Sequence, residues 1–245
     1  MTFGKIGAVR RGAVDLAYAR QEGAVPTFVW LGGFKSDMAG TKAEALAAWA
    51  EKSGSAFLRF DYSGHGKSGG RFEDGSIGVW TDDAAAVIAA QSEGPLVLVG
   101  SSMGGWISLL LAARMPERVK ALLLIAPAAD FTERLMWPSY SEEIRSTIME
   151  TGRYAWASPY DPDPYVITRT MIEDGRRHLM MDAPIPFDGP VRILQGGRDP
   201  DVPPAHAQAL ADLITSPDLR FDLIEDGDHR LSRPQDLALL VRTAD

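Results

Sequence analysis

The stretch Gly100-Ser101-Ser102-Met103-Gly104 has the spacing G-x-S-x-G and follows a short apolar run, PLVLV, at the point where a helical pattern begins. In that register Ser102 is the central residue, held in a tight turn that lifts its hydroxyl clear, and the flanking glycines let strand and helix approach. Ser101 falls at a position that asks only for a small side chain. A serine hydroxyl is a weak nucleophile near neutral pH, so it needs a base to take its proton and a third group to orient that base. Of the four histidines, His229 in EDGDHRLS lies in a polar loop after the last apolar run, and this makes it the expected base. His65 sits in a glycine-rich turn, His178 in a long inserted segment and His206 at the start of a helical stretch. The orienting acid is expected in QGGRDPDVP. Asp199 is nearer the end of the preceding apolar run, whereas Asp201, between two prolines' reach, suits a turn.

Attack on an acyl carbon creates an oxyanion, which backbone N–H groups can stabilise. The donors expected here are Met103, directly after the serine, and Phe34 in FVWLGGFKSDM, in the loop after an early strand. The N-terminus of the helix opening at Gly104 adds a favourable dipole beneath the developing charge.

These residues need a frame that delivers them to one edge. Short β-rich runs at 25–31, 56–60, 96–99, 121–126, 191–195 and 220–224 alternate with helical patterns at 41–53, 78–91, 104–115, 204–214 and 234–242. Such alternation predicts an α/β fold, a mostly parallel sheet with helices on both faces and its ligand site outside the carboxyl ends of the strands. Ser102, Asp199 and His229 each follow a predicted strand.

The alternation breaks across residues 130–187, where the chain is rich in Pro, Met and aromatic residues. A segment this long predicts structure of its own, with helices over 141–150 and 166–181, inserted as a helical lid into a single domain spanning 1–245. It holds five of the nine Met and four of the six Tyr, so it either presents an adaptable apolar surface or packs those residues onto the core.

With 33 acidic against 25 basic residues and a net charge of −8, the chain lacks the basic surface that nucleic acid or an anionic membrane requires. The absence of cysteine excludes disulfides, thiolate metal sites and a cysteine nucleophile. The first twenty residues interrupt every apolar stretch with a charge or glycine, and no run is long enough to cross a bilayer, so a soluble cytoplasmic protein is expected and not an integral membrane protein. FDYSGHGKSGG contains Gly66-Lys67-Ser68, but Asp61 stands where a phosphate-binding loop needs its first glycine, so the segment is expected to shape the sheet edge instead. No His and carboxylate spacing suggests zinc, and neither a metal nor a cofactor is expected.

With these residues in place the chain resembles the α/β-hydrolase superfamily, in which the nucleophile, acid and base also follow in the order Ser, Asp, His. Within it the chain is similar to the branch of mitochondrial acyl-glucuronide esterases and acyl-protein (palmitoyl-protein) thioesterases. The similarity is carried by GGFKSDMAGTKA, RFDYSGHGKSGG, GSIGVWTDD, VGSSMGGWISLL, ARMPERVKALLLIAPAADF, APIPFDGPVRILQGGRDPDVP and GDHRLS. It implies a core sheet of about eight strands with a helical lid, triad roles for Ser102, Asp199 and His229, and oxyanion donors at Phe34 and Met103. Many members carry His before the glycine of the oxyanion loop; Gly32 stands there in this chain, so no side chain acts at that point. The implied activity is hydrolysis of small or lipid-like acyl esters or thioesters. A carbon–carbon bond hydrolase of the same fold and a non-catalytic ligand-binding scaffold are the alternatives.

Overall fold

The expected β runs lie side by side in an eight-stranded sheet, in a computed structural model that describes residues 5–156 and 165–245; the side chains of Trp156 and Tyr165 are excluded. The strands are β1 (Lys5–Arg11), β2 (Val14–Gln21), β3 (Ala24–Leu31), β4 (Ser55–Phe60), β5 (Leu96–Ser101), β6 (Val119–Ile125), β9 (Val191–Gly196) and β10 (Leu219–Ile224). Their spatial order is β1-β2-β4-β3-β5-β6-β9-β10. From β4 to β10 every neighbouring pair is parallel, and β2 alone runs against them. The hairpin β1–β2 goes beyond the six runs read from the sequence. Its residues alternate charge and apolar side chains weakly, as an edge pair with one solvated face does.

The central strands are Val- and Leu-rich because both of their faces are covered. Successive residues enter opposite clusters: Val29 and Leu31 of β3, Leu96 and Leu98 of β5, and Leu122 and Leu124 of β6 join the larger one. Trp30, Val99, Leu123 and Ile125 point the other way. Helices α2 (Ile77–Gln91) and α3 (Met103–Arg114) cover the first face, where Trp80 and Trp106 are wholly buried; α1 (Thr41–Ser53) and α8 (Pro234–Ala244) cover the second, and α7 (Pro204–Leu213) flanks β9 and β10. Fully burying each large apolar side chain of this kind contributes about 1.5–3 kcal/mol.

Between β6 and β9 the chain forms a wide turn at Thr132–Met136, the single turn α4 (Trp137–Ser139), α5 (Glu142–Thr151), a hairpin of β7 (Arg153–Trp156) and β8 (Tyr165–Thr168), and α6 (Arg169–Arg176). Helix α5 matches the expected 141–150. The helix expected over 166–181 is shorter, because Val166-Ile167-Thr168 is β-branched and pairs with β7; Thr168 then caps α6 by accepting the N–H of Met171 at 3.1 Å. The part of the predicted lid at 157–164, with Tyr160, lies outside the described residues. Met171, Met181 and Tyr140 are buried, so they pack the segment onto the core. Both ends of the segment are tied together by Asp130, which is fully buried and accepts N–H bonds from Met180 and Met181, each 2.9 Å.

The motif glycines mark where α3 meets the sheet. A β-carbon on Gly104 would lie 2.0 Å from the carbonyl oxygen of Leu31 at the end of β3, and one on Gly100 would lie 2.4 Å from the carbonyl oxygen of Gly104. Both obstacles are backbone and cannot step aside. Gly104→Ala is therefore expected to destabilise the fold by about 3 kcal/mol or more, whereas Gly94→Ala, in open space at φ +70°, should cost only about 1–2 kcal/mol of left-handed strain. Urea unfolding midpoints of the two variants test the contrast.

Candidate active site

Ser102 joins the end of β5 to the start of α3, as the N-cap of the helix, at φ 54° and ψ −119°, a region that residues with a side chain rarely occupy. Three hydrogen bonds fix it there. Its N–H donates to Ile125 at 2.9 Å, and its carbonyl accepts from Gly105 at 2.9 Å and Ala128 at 3.1 Å. Such over-determination is what lets a strained peptide persist. The result is a side chain raised to the end of the sheet, while the neighbouring Ser101 is buried.

Ser102 Oγ lies 3.1 Å from Nε2 of His229, and Nδ1 of the same ring lies 2.8 Å from Asp199 Oδ2. An ionised carboxylate can only accept, so Nδ1 carries the proton and Nε2 is left to accept from the serine hydroxyl. Asp199 has a wholly buried side chain. Its other oxygen accepts the N–H groups of Val202 at 2.8 Å and Asp201 at 2.9 Å, and Gln195 Nε2 donates to Oδ2 at 3.2 Å. Burial works against its ionisation, but the bonds from His229, Val202 and Asp201 outweigh it and hold the carboxyl below the usual range. Asp201 thus lends the site its backbone N–H, and its own side chain is exposed.

The loops that carry acid and base are pinned to each other. Arg198 N–H donates to the carbonyl of Gly227 at 2.8 Å and Gly197 N–H to that of Ile224 at 2.7 Å, while Leu231 N–H closes on Asp228 at 3.0 Å. Lys42 of α1 donates from Nζ to the carbonyl of Arg230, directly after His229, and its burial lowers its pKa to about 8.

The loop after β3 crosses above the serine: a β-carbon on Gly33 would lie 3.3 Å from Ser102 Cβ. Phe34 therefore follows at the edge of the site, its ring packed edge-on against Phe72, Trp80 and Phe131 with centroids 4.9, 5.9 and 5.7 Å apart. Phe131 in turn meets Trp106 at 5.8 Å. Met103, being the first residue of α3, has no acceptor for its N–H within the helix. Phe131 was not read from the sequence as a site residue; it looks like an ordinary core aromatic there, and only the fold brings it beside Phe34, with the wholly buried Trp106 packed behind it. His206 donates to the carbonyl of Ala129 at 2.8 Å, His178 pairs with Asp174 at 3.5 Å, and His65 is buried, so these three are engaged away from Ser102.

Among the described residues, the group with metal-ligand proximity is Asp199, Asp201 and His229, whose donor atoms lie within 4.8 Å of one another. Both nitrogens of His229 already face Asp199 and Ser102, so an ion bound there would have to break that chain. Also among the described residues, no helix is long and apolar enough to cross a membrane.

The family model for serine aminopeptidase, S33, matches residues 28–236, nearly the whole span that carries this geometry. The chain belongs to that family of α/β hydrolases. The mitochondrial palmitoyl-protein thioesterase ABHD10 of Mus musculus is 38% identical over 232 residues, 94% of this chain and 78% of the relative. Among solved structures, a chain from Agrobacterium vitis S4 superposes with a TM-score of 0.92 at 41% identity, covering 98% of this hydrolase and 96% of that chain. The alpha/beta hydrolase domain-containing protein 10 from mouse superposes with a TM-score of 0.90 at 36% identity, covering 99% and 97%. The eight-stranded, mostly parallel sheet is common to this hydrolase and its neighbours.

The lowered pKa of Asp199 predicts a signature in stability. A carboxyl depressed in the folded state stabilises it fully above its unfolded pKa, about pH 4, and loses that contribution as pH falls through the folded value. The difference in unfolding free energy between the native hydrolase and Asp199→Asn should accordingly be largest above about pH 4 and shrink in stronger acid. Denaturant unfolding of both proteins across the acid range measures it.

Proposed function

We propose that this hydrolase cleaves carboxylic esters and thioesters through an acyl-enzyme formed on Ser102. The observation that carries the proposal is the continuous hydrogen-bonded chain from Asp199 through His229 to Ser102 Oγ, at 2.8 and 3.1 Å. His229 Nε2 takes the hydroxyl proton as Oγ attacks the acyl carbon, and Asp199 keeps the ring in the required tautomer and stabilises the imidazolium. The oxyanion is met by the N–H groups of Met103 and Phe34 at the positive end of α3. Collapse of the tetrahedral intermediate expels the leaving group, to which His229 gives its proton. Water then enters, loses a proton to His229, attacks the acyl carbon and releases the acid, restoring Ser102.

The demand on His229 as an acid ranks the substrates. A thiol, with an ordinary pKa of about 8.5, departs with little protonation, whereas an alcohol needs more help and an amine needs firm protonation. Thioesters and esters are accordingly placed ahead of amides. The aromatic wall of Phe34 and Phe131 supports an apolar acyl group, and the name of the mouse relative, a palmitoyl-protein thioesterase, supports the thioester class. The segment between β6 and β9 supplies Phe131 to this wall and serves as a fixed lid beside Phe34.

Purified protein is expected to turn over a chain-length panel of activated esters and acyl thioesters, with peptide anilides slower. No turnover or burst on any of them would sink the proposal. Ser102→Ala should lose on the order of 10⁴–10⁶ in kcat and all labelling by a fluorophosphonate, while Ser101→Ala keeps its labelling. Labelling that survives in Ser102→Ala and disappears in Ser101→Ala would show that Ser101 is the nucleophile and overturn the assignment to Ser102.

A further inference from the structure

The segment FDYSGHGKSGG has no part in the chemistry above, yet it holds a buried histidine with both ring nitrogens committed. His65 Nε2 lies 3.2 Å from the backbone N of Lys35, and Nδ1 lies 3.1 Å from the carbonyl oxygen of Ser63. An amide N–H can only donate and a carbonyl can only accept, so the ring must be neutral with its proton on Nδ1. Its surroundings enforce this orientation. The ring packs edge-on against Tyr62, Phe72 and Trp80 at centroid separations of 5.7, 5.2 and 5.2 Å, and burial favours the uncharged form.

Lys35 is the residue after Phe34, and it sits at φ 55°, left-handed without being glycine. The two peptides around Phe34 are therefore both fastened. In the Gly33–Phe34 peptide, the carbonyl of Gly33 accepts from Ser36 N at 3.2 Å and Ser36 Oγ at 2.8 Å. A trans peptide directs its N–H opposite to its C=O, so holding that oxygen aims the Phe34 N–H away from Ser36. In the Phe34–Lys35 peptide, the N–H is held by His65. Farther on, Asp61 accepts the N–H of Met38 at 2.7 Å. The anchor is itself braced: Ser63 donates from N and Oγ to Asp83 at 2.9 and 2.6 Å, and Asp83 pairs with Arg11 of β1.

We infer that His65 is a positioning residue for the oxyanion loop: by accepting the N–H of Lys35 it prevents the peptide beside Phe34 from flipping and keeps the Phe34 donor aimed at the reacting carbonyl. The inference rests on the proposed acyl-enzyme chemistry, and its test separates the two. His65→Phe keeps an aromatic ring in the cluster but offers no acceptor. His65→Gln can present its amide oxygen where Nε2 stands. With a thioester or activated ester, His65→Phe is expected to lose on the order of tenfold to a hundredfold in kcat with KM unchanged, since an oxyanion donor acts in the transition state. His65→Gln should recover most of that loss. Ring ¹⁵N resonances of His65 in the unaltered protein should report a proton on Nδ1 and none on Nε2.

A fully active His65→Phe, a folded His65→Gln no better than His65→Phe, or a proton on Nε2 would each overturn the inference. If His65→Phe does not fold, the tautomer in the unaltered protein and the activity of His65→Gln decide it. Absence of turnover in the unaltered protein is the failure of the acyl-enzyme proposal instead, and the ring resonances still judge the Lys35 contact.

Discussion

The contact between Gly104 and the carbonyl of Leu31 governs the architecture of the site. A helix can approach the end of a strand this closely only without a β-carbon at the crossing, and Ser102 is forced to φ 54° to make the connection. Because α3 abuts β3, the loop leaving β3 passes directly over the serine. Because α3 starts where β5 stops, its N-terminal amides face the same point. One close approach thus sets the height of the serine hydroxyl, the position of Met103 and the path of Phe34.

Parallel strands supply the rest by ending on the same edge. β5, β6 and β9 are adjacent, so the residues following β5 and β9 need to bridge only the single strand between them. His229 completes the chain from the loop after β10, which lies next to β9 and is bonded to it through Gly197 and Arg198. A buried carboxylate is costly unless its lone pairs are met, and Asp199 is met by a ring, an amide and two backbone N–H groups. The same bonds that keep it ionised fix its direction, so in the proposed mechanism little reorganisation is left for the step in which His229 takes the serine proton.

The parts of this arrangement with a strict local cause were legible in the sequence. G-x-S-x-G follows from sterics at Gly100 and Gly104, and the inner parallel strands β3, β4, β5, β6 and β9 betray themselves as short apolar runs, as does the more exposed edge strand β10. Asp199 and His229 were found because each stands just past such a run. The hairpin β1–β2 was not legible, since an edge pair with one wet face carries only a weak alternation. Nor was the β-hairpin of the inserted segment, where three β-branched residues precede a helix and the strand state depends on a partner in β7. His65 was visible as a residue but its purpose was not, because its acceptor role depends on a backbone N–H thirty positions away.

The inserted segment differs from the core in what anchors it. Trp106, one turn after Ser102 on α3, donates its indole N–H to the carbonyl of His178 at 3.1 Å, and Asp174 of α6 accepts the N–H of Gly78 of α2 at 2.7 Å. Ile167, Met171 and Ile172 are buried beneath it. Lifting this part of the segment would break both hydrogen bonds and expose those apolar side chains together, so it behaves as a fixed wall rather than a free flap. Since Trp106 and the proposed nucleophile ride on the same helix end, the aromatic wall is held in constant register with Ser102. In the proposed chemistry, a change of acyl preference therefore calls for new side chains at Phe34 or Phe131 rather than a movement of the serine.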